Sequence, residues 1–209
     1  ALEQAEGRHI RSPLPSQRVA LRYVVTPRRV YHKFYNIFCN PLLWFLQHYM
    51  WSSPYTPNVD ETVYDAWHTG YIPVNKSFAD VIVDEAKHST LPPYVMLHDY
   101  HLYLTPGMVR QALPDALIQY FLHIPWPDAS YWQMIPHMMR QSICESLCSC
   151  DIAGFQTPRD ARSFLQSCEL FLSEAEVDHT KCTISLNGRV TVARCYPISI
   201  DVEELKGIA

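Results

Sequence analysis

Between residues 92 and 172, three short apolar runs alternate with stretches of helical spacing. The runs are "YVMLHD" (94–99), "ALIQYFLH" (116–123) and "DIAGFQ" (151–156). No other feature restricts the fold as much. Apolar runs of this length, bounded by turn residues, read as strands, and the intervening stretches are long enough to be crossover helices. This strand–helix alternation is the βαβ pattern of a parallel sheet. Two helix starts are marked in the same way. "TPGMVRQALP" (105–114) and "TPRDARSFLQSCELFL" (157–172) both open on Thr-Pro, a capping residue followed by a proline suited to the first turn. "DASYWQMIPHMMRQSICESLCSC" (128–150) is helical, in two pieces around Pro136.

The rest of the chain extends this pattern. "VALRYVV" (19–25) is β-branched enough for a further strand. Residues 27–51 have helical periodicity interrupted by Pro41, which predicts two helices with a break near Asn40-Pro41. Residues 61–89 are mostly helical, with irregularities expected at Gly70 and Pro73. "TISLNGRVTVARCYPI" (183–198) is a hairpin turning at Asn187-Gly188. Residues 1–18 read as an irregular polar arm or a cut end, and 19–201 as one Rossmann-like domain. The expected class is α/β, a parallel sheet flanked by helices.

Composition removes several function classes. The formal net charge of the 209 residues is −4, with no basic excess to suggest nucleic acid and no Lys/Arg block to suggest a membrane surface. No apolar run reaches the roughly 18 residues of a spanning helix. Seven cysteines in a chain this long point to reduced thiols and a cytoplasmic setting. Cys144, Cys148 and Cys150 have no zinc-site spacing and read as packed thiols, as do His137, Met138 and Met139 as packing residues. There are only 6 glycines and neither GxGxxG nor GxxxxGK[ST], so either no nucleotide is bound or the glycine-rich part lies outside these residues.

Polar residues collect where the strands stop. In parallel sheets ligands bind beyond the carboxyl ends of the strands. The first strand runs into His98-Asp99, the second into His123 and the third into Gln156-Thr157. Three readings of Asp99 stand open. With His98 and His101 it could serve a metal, although neighbours along a strand face opposite ways. It could cap the next helix. It could also join His123 in binding a polyhydroxylated ligand, since a carboxylate accepts from two hydroxyls and a neutral imidazole donates or accepts. Tyr35, Phe38, Trp44 and Tyr49 are either core or, for the Trp and Tyr among them, stacking surfaces for the apolar faces of sugar rings.

Six segments in order resemble the N-terminal half of the trehalose-6-phosphate synthase family of retaining glycosyltransferases. They are "YNIFCNPLLWFLQHY" (35–49), "YIPVNKSFAD" (71–80), "VMLHDYHLYLTPGMVR" (95–110), "IQYFLHIPWP" (118–127), "DIAGFQTPRDARSFLQSC" (151–168) and "YPISID" (196–201). The resemblance implies a GT-B architecture, of which this chain is the acceptor-side half, with 202–209 starting a crossover to a further domain. It implies glucose transfer from a nucleotide sugar to a sugar phosphate such as glucose 6-phosphate, with retention and with neither metal nor other cofactor. Tyr35 and Trp44 match acceptor-site residues, Asp99 a residue near the acceptor sugar, and His123 one that contacts the donor glucose. Asp99 and His123 are therefore the expected catalytic residues. The family's first strand, its glycine loop and its C-terminal domain with the basic diphosphate clamp have no counterpart here. On that ground the chain by itself is expected to be inactive, and homo-oligomerisation stays open. Phe45, Trp126 and Ser199 replace the Pro, Phe and Gly usual in those strings, so the acceptor pocket is expected to differ. A non-catalytic sugar-phosphate-binding relative and a metal-dependent hydrolase are the competing readings.

Overall fold

A computed structural model describes residues 9–11, 19–52, 54, 56–202 and 206–207. Its centre is a six-stranded sheet. Strands β3 (Tyr94–His98), β4 (Leu117–Phe121), β5 (Ile152–Phe155) and β8 (Arg189–Cys195) lie parallel in that order, and β7 (Thr183–Leu186) and β6 (Glu176–Asp178) continue it antiparallel. The strand–helix alternation thus gives the expected parallel sheet. The β7–β8 hairpin turns at Asn187 and Gly188, with φ of 52° and 75°. Two successive positive φ values are what an Asn-Gly turn supplies. β6 carries no sequence signal beyond three residues and was not expected.

Helices cover one face of the sheet. α5 (Thr105–Ala112) packs on β4, and α7 (Pro158–Phe171) packs on β5 and β8, with α6 (His137–Leu147) between α5 and α7. The face they cover presents Val95, Leu97, Ile118, Tyr120, Ala153 and Phe155, all buried. Thr157 caps α7 as expected, its hydroxyl accepting from the Asp160 amide at 3.2 Å. Thr105 does not cap α5. The helix already includes it, and its hydroxyl is turned into the core onto Asn75 at 3.0 Å. Met139 is buried as expected, but His137 and Met138 face solvent, because only one side of α6 packs inward between α5 and α7. All seven cysteines are free, and Cys144, Cys148 and Cys150 are buried in the core.

Two expectations upstream need correction. The 19–25 strand shrinks to β2 (Ala20–Leu21), which pairs only with β1 (Ile10–Arg11). Beyond it Arg22 is held by Asp84 at 2.9 Å and by Glu85, so the segment is drawn to a helix instead of the sheet. Pro41 does not break its helix. α1 (Arg28–His32), a π-helical segment Lys33–Leu43 and α2 (Trp44–Gln47) run on without interruption. The wider π turn gives the proline ring room that regular α spacing would deny. A second π segment, Trp67–Tyr71, joins α3 (Glu61–Ala66) to α4 (Ile72–Ala86), so Gly70 and Pro73 do mark an irregularity. There the two helical runs nearly touch, since a Cβ on Gly70 would lie 2.7 Å from the Lys33 Cβ and 2.8 Å from the Phe34 nitrogen. Most of the expected 1–18 arm and 202–209 crossover lies outside the described residues.

Candidate functional site

At the carboxyl end of β3 the backbone enters the positive-φ region, as it does at three other non-glycine residues among those described, Tyr49, Cys182 and Asn187. Asp99 has φ 67° and ψ 164°. That conformation belongs to glycine, and another residue held there costs of order 1–3 kcal/mol. The neighbourhood enforces it. The Asp99 amide donates to the Phe121 carbonyl at 2.9 Å, its carbonyl accepts from the Leu102 amide at 3.2 Å, and the Tyr120 hydroxyl also donates to that carbonyl. The chain must turn abruptly to enter the helical turn Tyr100–Leu102, and this turn throws the carboxylate off the strand's alternation. Asp99 makes no capping bond, which removes the helix-cap reading. Its Oδ1 is buried without a hydrogen-bond partner, and its Oδ2 lies 3.9 Å from Nδ1 of His101.

His101 sits at the centre of the cluster. Its ring stacks on Tyr35 at 5.8 Å and 13°, and lies 4.0 Å from the Tyr100 ring. Burial lowers its pKa below the ordinary 6.5, partly opposed by the Asp99 charge, so at neutral pH it is the uncharged imidazole. Its Nε2 is also buried and unpartnered. Asn75 fixes the loop that carries it. The Asn75 amide donates to the Tyr71 and His101 carbonyls, and its oxygen accepts from Leu104, Thr105 and the Thr105 hydroxyl, all between 3.0 and 3.1 Å.

His98 and His123 form the second part of the rim. Nδ1 of His98 and Nε2 of His123 are 3.1 Å apart, hydrogen-bonded across the ends of neighbouring strands. His98, His101 and Tyr35 line one mainly apolar cavity of 280 Å³ with Val24, Phe34 and Phe78. A larger depression of 430 Å³ lies between α5 and α6, away from the strand ends.

The structure therefore brings the four sequence-predicted residues to one end of the sheet, without direct contact between Asp99 and His123. Tyr35 and Asp99 meet through His101. His123 joins through His98. Trp44, 37% exposed, reaches the group through Tyr100, whose ring is 6.0 Å away and whose hydroxyl donates to Asn40 at 2.8 Å. Of the other aromatics, Phe38 is core and Tyr49 is 39% exposed. Trp126 is not at the rim. It is buried, and its indole N–H donates to Ser167 at 3.0 Å, so the Phe-to-Trp difference is a core substitution and does not reshape a pocket. Among the described residues, no three His, Cys, Asp or Glu side chains converge as metal ligands would.

Comparison with known proteins decides the family. The glycosyltransferase family 20 profile matches residues 3–209. The chain belongs to that family. It is 29% identical to a validamine 7-phosphate valienyltransferase from Streptomyces hygroscopicus subsp. jinggangensis, over 90% of this chain and 38% of that protein. It is 35% identical to a UDP-forming α,α-trehalose-phosphate synthase from Pichia angusta, over 81% of this chain and 34% of that one. It is also 35% identical to a regulatory subunit of the trehalose synthase complex from Saccharomyces cerevisiae, over 88% of this chain and 16% of the subunit. A trehalose-phosphate synthase from Burkholderia xenovorans, solved in complex with glucose-6-phosphate, superposes with a TM-score of 0.70 at 30% identity, covering 87% of this chain and 37% of that one. The family 20 chain described here thus spans well under half the length of these relatives. Its α/β fold is that of the GT-B trehalose-phosphate synthases. No helix among the described residues is long and apolar enough to cross a membrane.

Proposed function

We propose that the chain is the acceptor-side portion of a retaining glucosyltransferase. The parent moves glucose from a nucleotide sugar such as UDP-glucose to a sugar phosphate such as glucose 6-phosphate, giving trehalose 6-phosphate. Asp99 carries the reading. A strained backbone holds its carboxylate at the sheet rim with one oxygen buried and unpaired, ready to accept from sugar hydroxyls. His123 contacts the glucose being transferred, and Tyr35 and Trp44 offer ring faces to the acceptor. Retention without a covalent intermediate needs the acceptor oxygen on the same sugar face as the departing phosphate. Positioning and electrostatic stabilisation then supply most of the rate. These four residues include no cation, and in the family the basic groups for the departing diphosphate belong to the C-terminal domain, so the chain alone is expected to be inactive.

The test is UDP release by the full-length parent with a panel of sugar phosphates. Stimulation by glucose 6-phosphate, lost in Asp99→Asn and His123→Ala, is the expected result. If no sugar phosphate stimulates release, the transferase reading falls. A non-catalytic sugar-phosphate-binding role is the second reading, favoured by the similarity to a regulatory subunit. It predicts thermal stabilisation by glucose 6-phosphate with no turnover.

A further inference from the structure

We infer that His98 is a positioning residue for His123, accepting a hydrogen bond from its Nε2–H and so leaving an unprotonated Nδ1 of His123 to face the sugar. The purpose of this device rests on the transferase reading; its chemistry does not.

β3 and β4 pair in parallel with His98 opposite Phe121. Residues two apart along a strand share a face, so His123, two beyond Phe121, falls on the side of His98. The strand ends stay tied past the last ladder pair, with the Asp99 amide on the Phe121 carbonyl at 2.9 Å and the Leu122 amide on the Gly154 carbonyl at 3.0 Å. The Phe121 ring stands edge-on to both imidazoles, at 60° to His98 and 75° to His123, and wedges the pair in place. The two rings then meet at 5.2 Å between centroids, with Nδ1 of His98 3.1 Å from Nε2 of His123.

One proton lies between those nitrogens, and there are two ways to place it. If Nδ1 of His98 donates, a neutral His123 must carry its own proton on Nδ1. Both rings are then in the Nδ1–H form, which a free histidine side chain disfavours. If Nε2 of His123 donates, both rings are in the favoured Nε2–H form. Among the described residues, no hydrogen bond to Nε2 of His98 or Nδ1 of His123 reverses that preference. The bond made by one ring nitrogen fixes what the other can do. His123 therefore meets its ligand as an acceptor of a hydroxyl proton. Without His98 it would present either a donor or an acceptor. The same peptide unit that carries His98 leads into Asp99, so one strand end orients the carboxylate directly and the second imidazole indirectly.

Side-chain 1H–15N correlation on the uniformly labelled 209-residue chain reads the tautomers. The expected result is a single Nε2–H form of His123 in the wild type and a mixture in His98→Ala. In His98→Asn, whose Oδ1 stands where Nδ1 stood, the single form is expected to return. His123 found as Nδ1–H, or unchanged in His98→Ala, overturns the inference. In the full-length parent, His98→Ala should lower kcat/KM about tenfold, the worth of one hydrogen bond of about 1.4 kcal/mol, with His98→Asn within about twofold of wild type. Equal kcat/KM in His98→Ala removes the positioning role. A wild-type parent with no turnover strikes the transferase reading instead, and the tautomer spectra still decide the pair.

Discussion

At the scale of single residues, the rim of the sheet holds two groups in states they would not adopt alone. Asp99 occupies glycine's backbone region. Replacing it by Gly and by Ala removes the same carboxylate, yet only Gly relaxes the backbone. Asp99→Gly should therefore be more stable than Asp99→Ala by about 1 kcal/mol, read by urea unfolding, while both lose sugar-phosphate binding. Equal stability would mean that the turn is not strained. His101 is held neutral by burial. Its folded pKa lies below its unfolded value of about 6.5, so below that pH the unfolded chain binds a proton that the native one refuses. Its contribution is a penalty absent above pH 6.5 and growing as pH falls towards the folded pKa. His101→Phe should flatten the loss of stability between pH 7 and 5 relative to wild type, measured by thermal unfolding across that range. An identical pH slope in both proteins would show that His101 does not titrate this way. The sequence placed Asp99 and His123 at strand ends correctly, because an apolar run stopping on a polar residue is a local signal. It could not show the positive φ of Asp99, which the bonds to Phe121 and Tyr120 impose. Nor could it show the His98–His123 pair, which depends on the register of two strands.

At the scale of elements, two junctions hold the site's supports together. Asn75, buried on α4, satisfies two carbonyls and two amides of neighbouring segments, including the His101 carbonyl. Asn75→Ala leaves those amides buried without acceptors. It should cost about 2–3 kcal/mol or more in chemical denaturation and loosen His101 against Tyr35. A loss under ~0.5 kcal/mol would show that water or a shifted loop replaces the amide. Gly70 marks the other junction, where the two π segments approach. Its missing Cβ would meet the backbone nitrogen of Phe34, which cannot swing aside. Gly70→Ala should destabilise by about 1–3 kcal/mol. Unchanged stability would mean that the two helical runs separate freely. These junctions explain why the helices upstream were read less well than the strands. Proline's effect on a regular α-helix is a local rule, and it predicts a break at Pro41. Whether the chain instead widens into π turns is settled by packing partners such as Tyr71 and Trp67 against Phe38, which no window of sequence displays.

At the scale of the whole molecule, the described residues cover the sheet on one face only. Parallel sheets are ordinarily buried on both. Here Tyr94 and Met96 of β3 are 79% and 64% exposed, and Leu117 of β4 and Val190 of β8 continue the apolar surface. β3 is also the outermost strand, with no neighbour beyond it among the described residues. The sequence hid this. "YVML" is apolar at every position, which reads as a strand buried on both sides, and only its pairing reveals that alternate side chains face outward. An unshielded apolar face beside an open edge is a template for association. The 209-residue chain should therefore self-associate as its concentration rises through about 100 μM, seen as a growing sedimentation coefficient. Lysines at positions 94 and 96 would place charge on that face at positions already in solvent, so the fold should tolerate them. Tyr94→Lys with Met96→Lys should return the chain to monomer with little change in melting temperature. A wild-type chain that stays monomeric, or a double variant that associates as strongly, would show that this face does not drive the contact. The outcome also bears on the site. His98 and Asp99 lie at the carboxyl end of this same strand, so a second chain paired along β3 would crowd the rim where the sugar is proposed to bind. Weaker sugar-phosphate binding at high protein concentration, relieved in the double variant, would tie the two observations together.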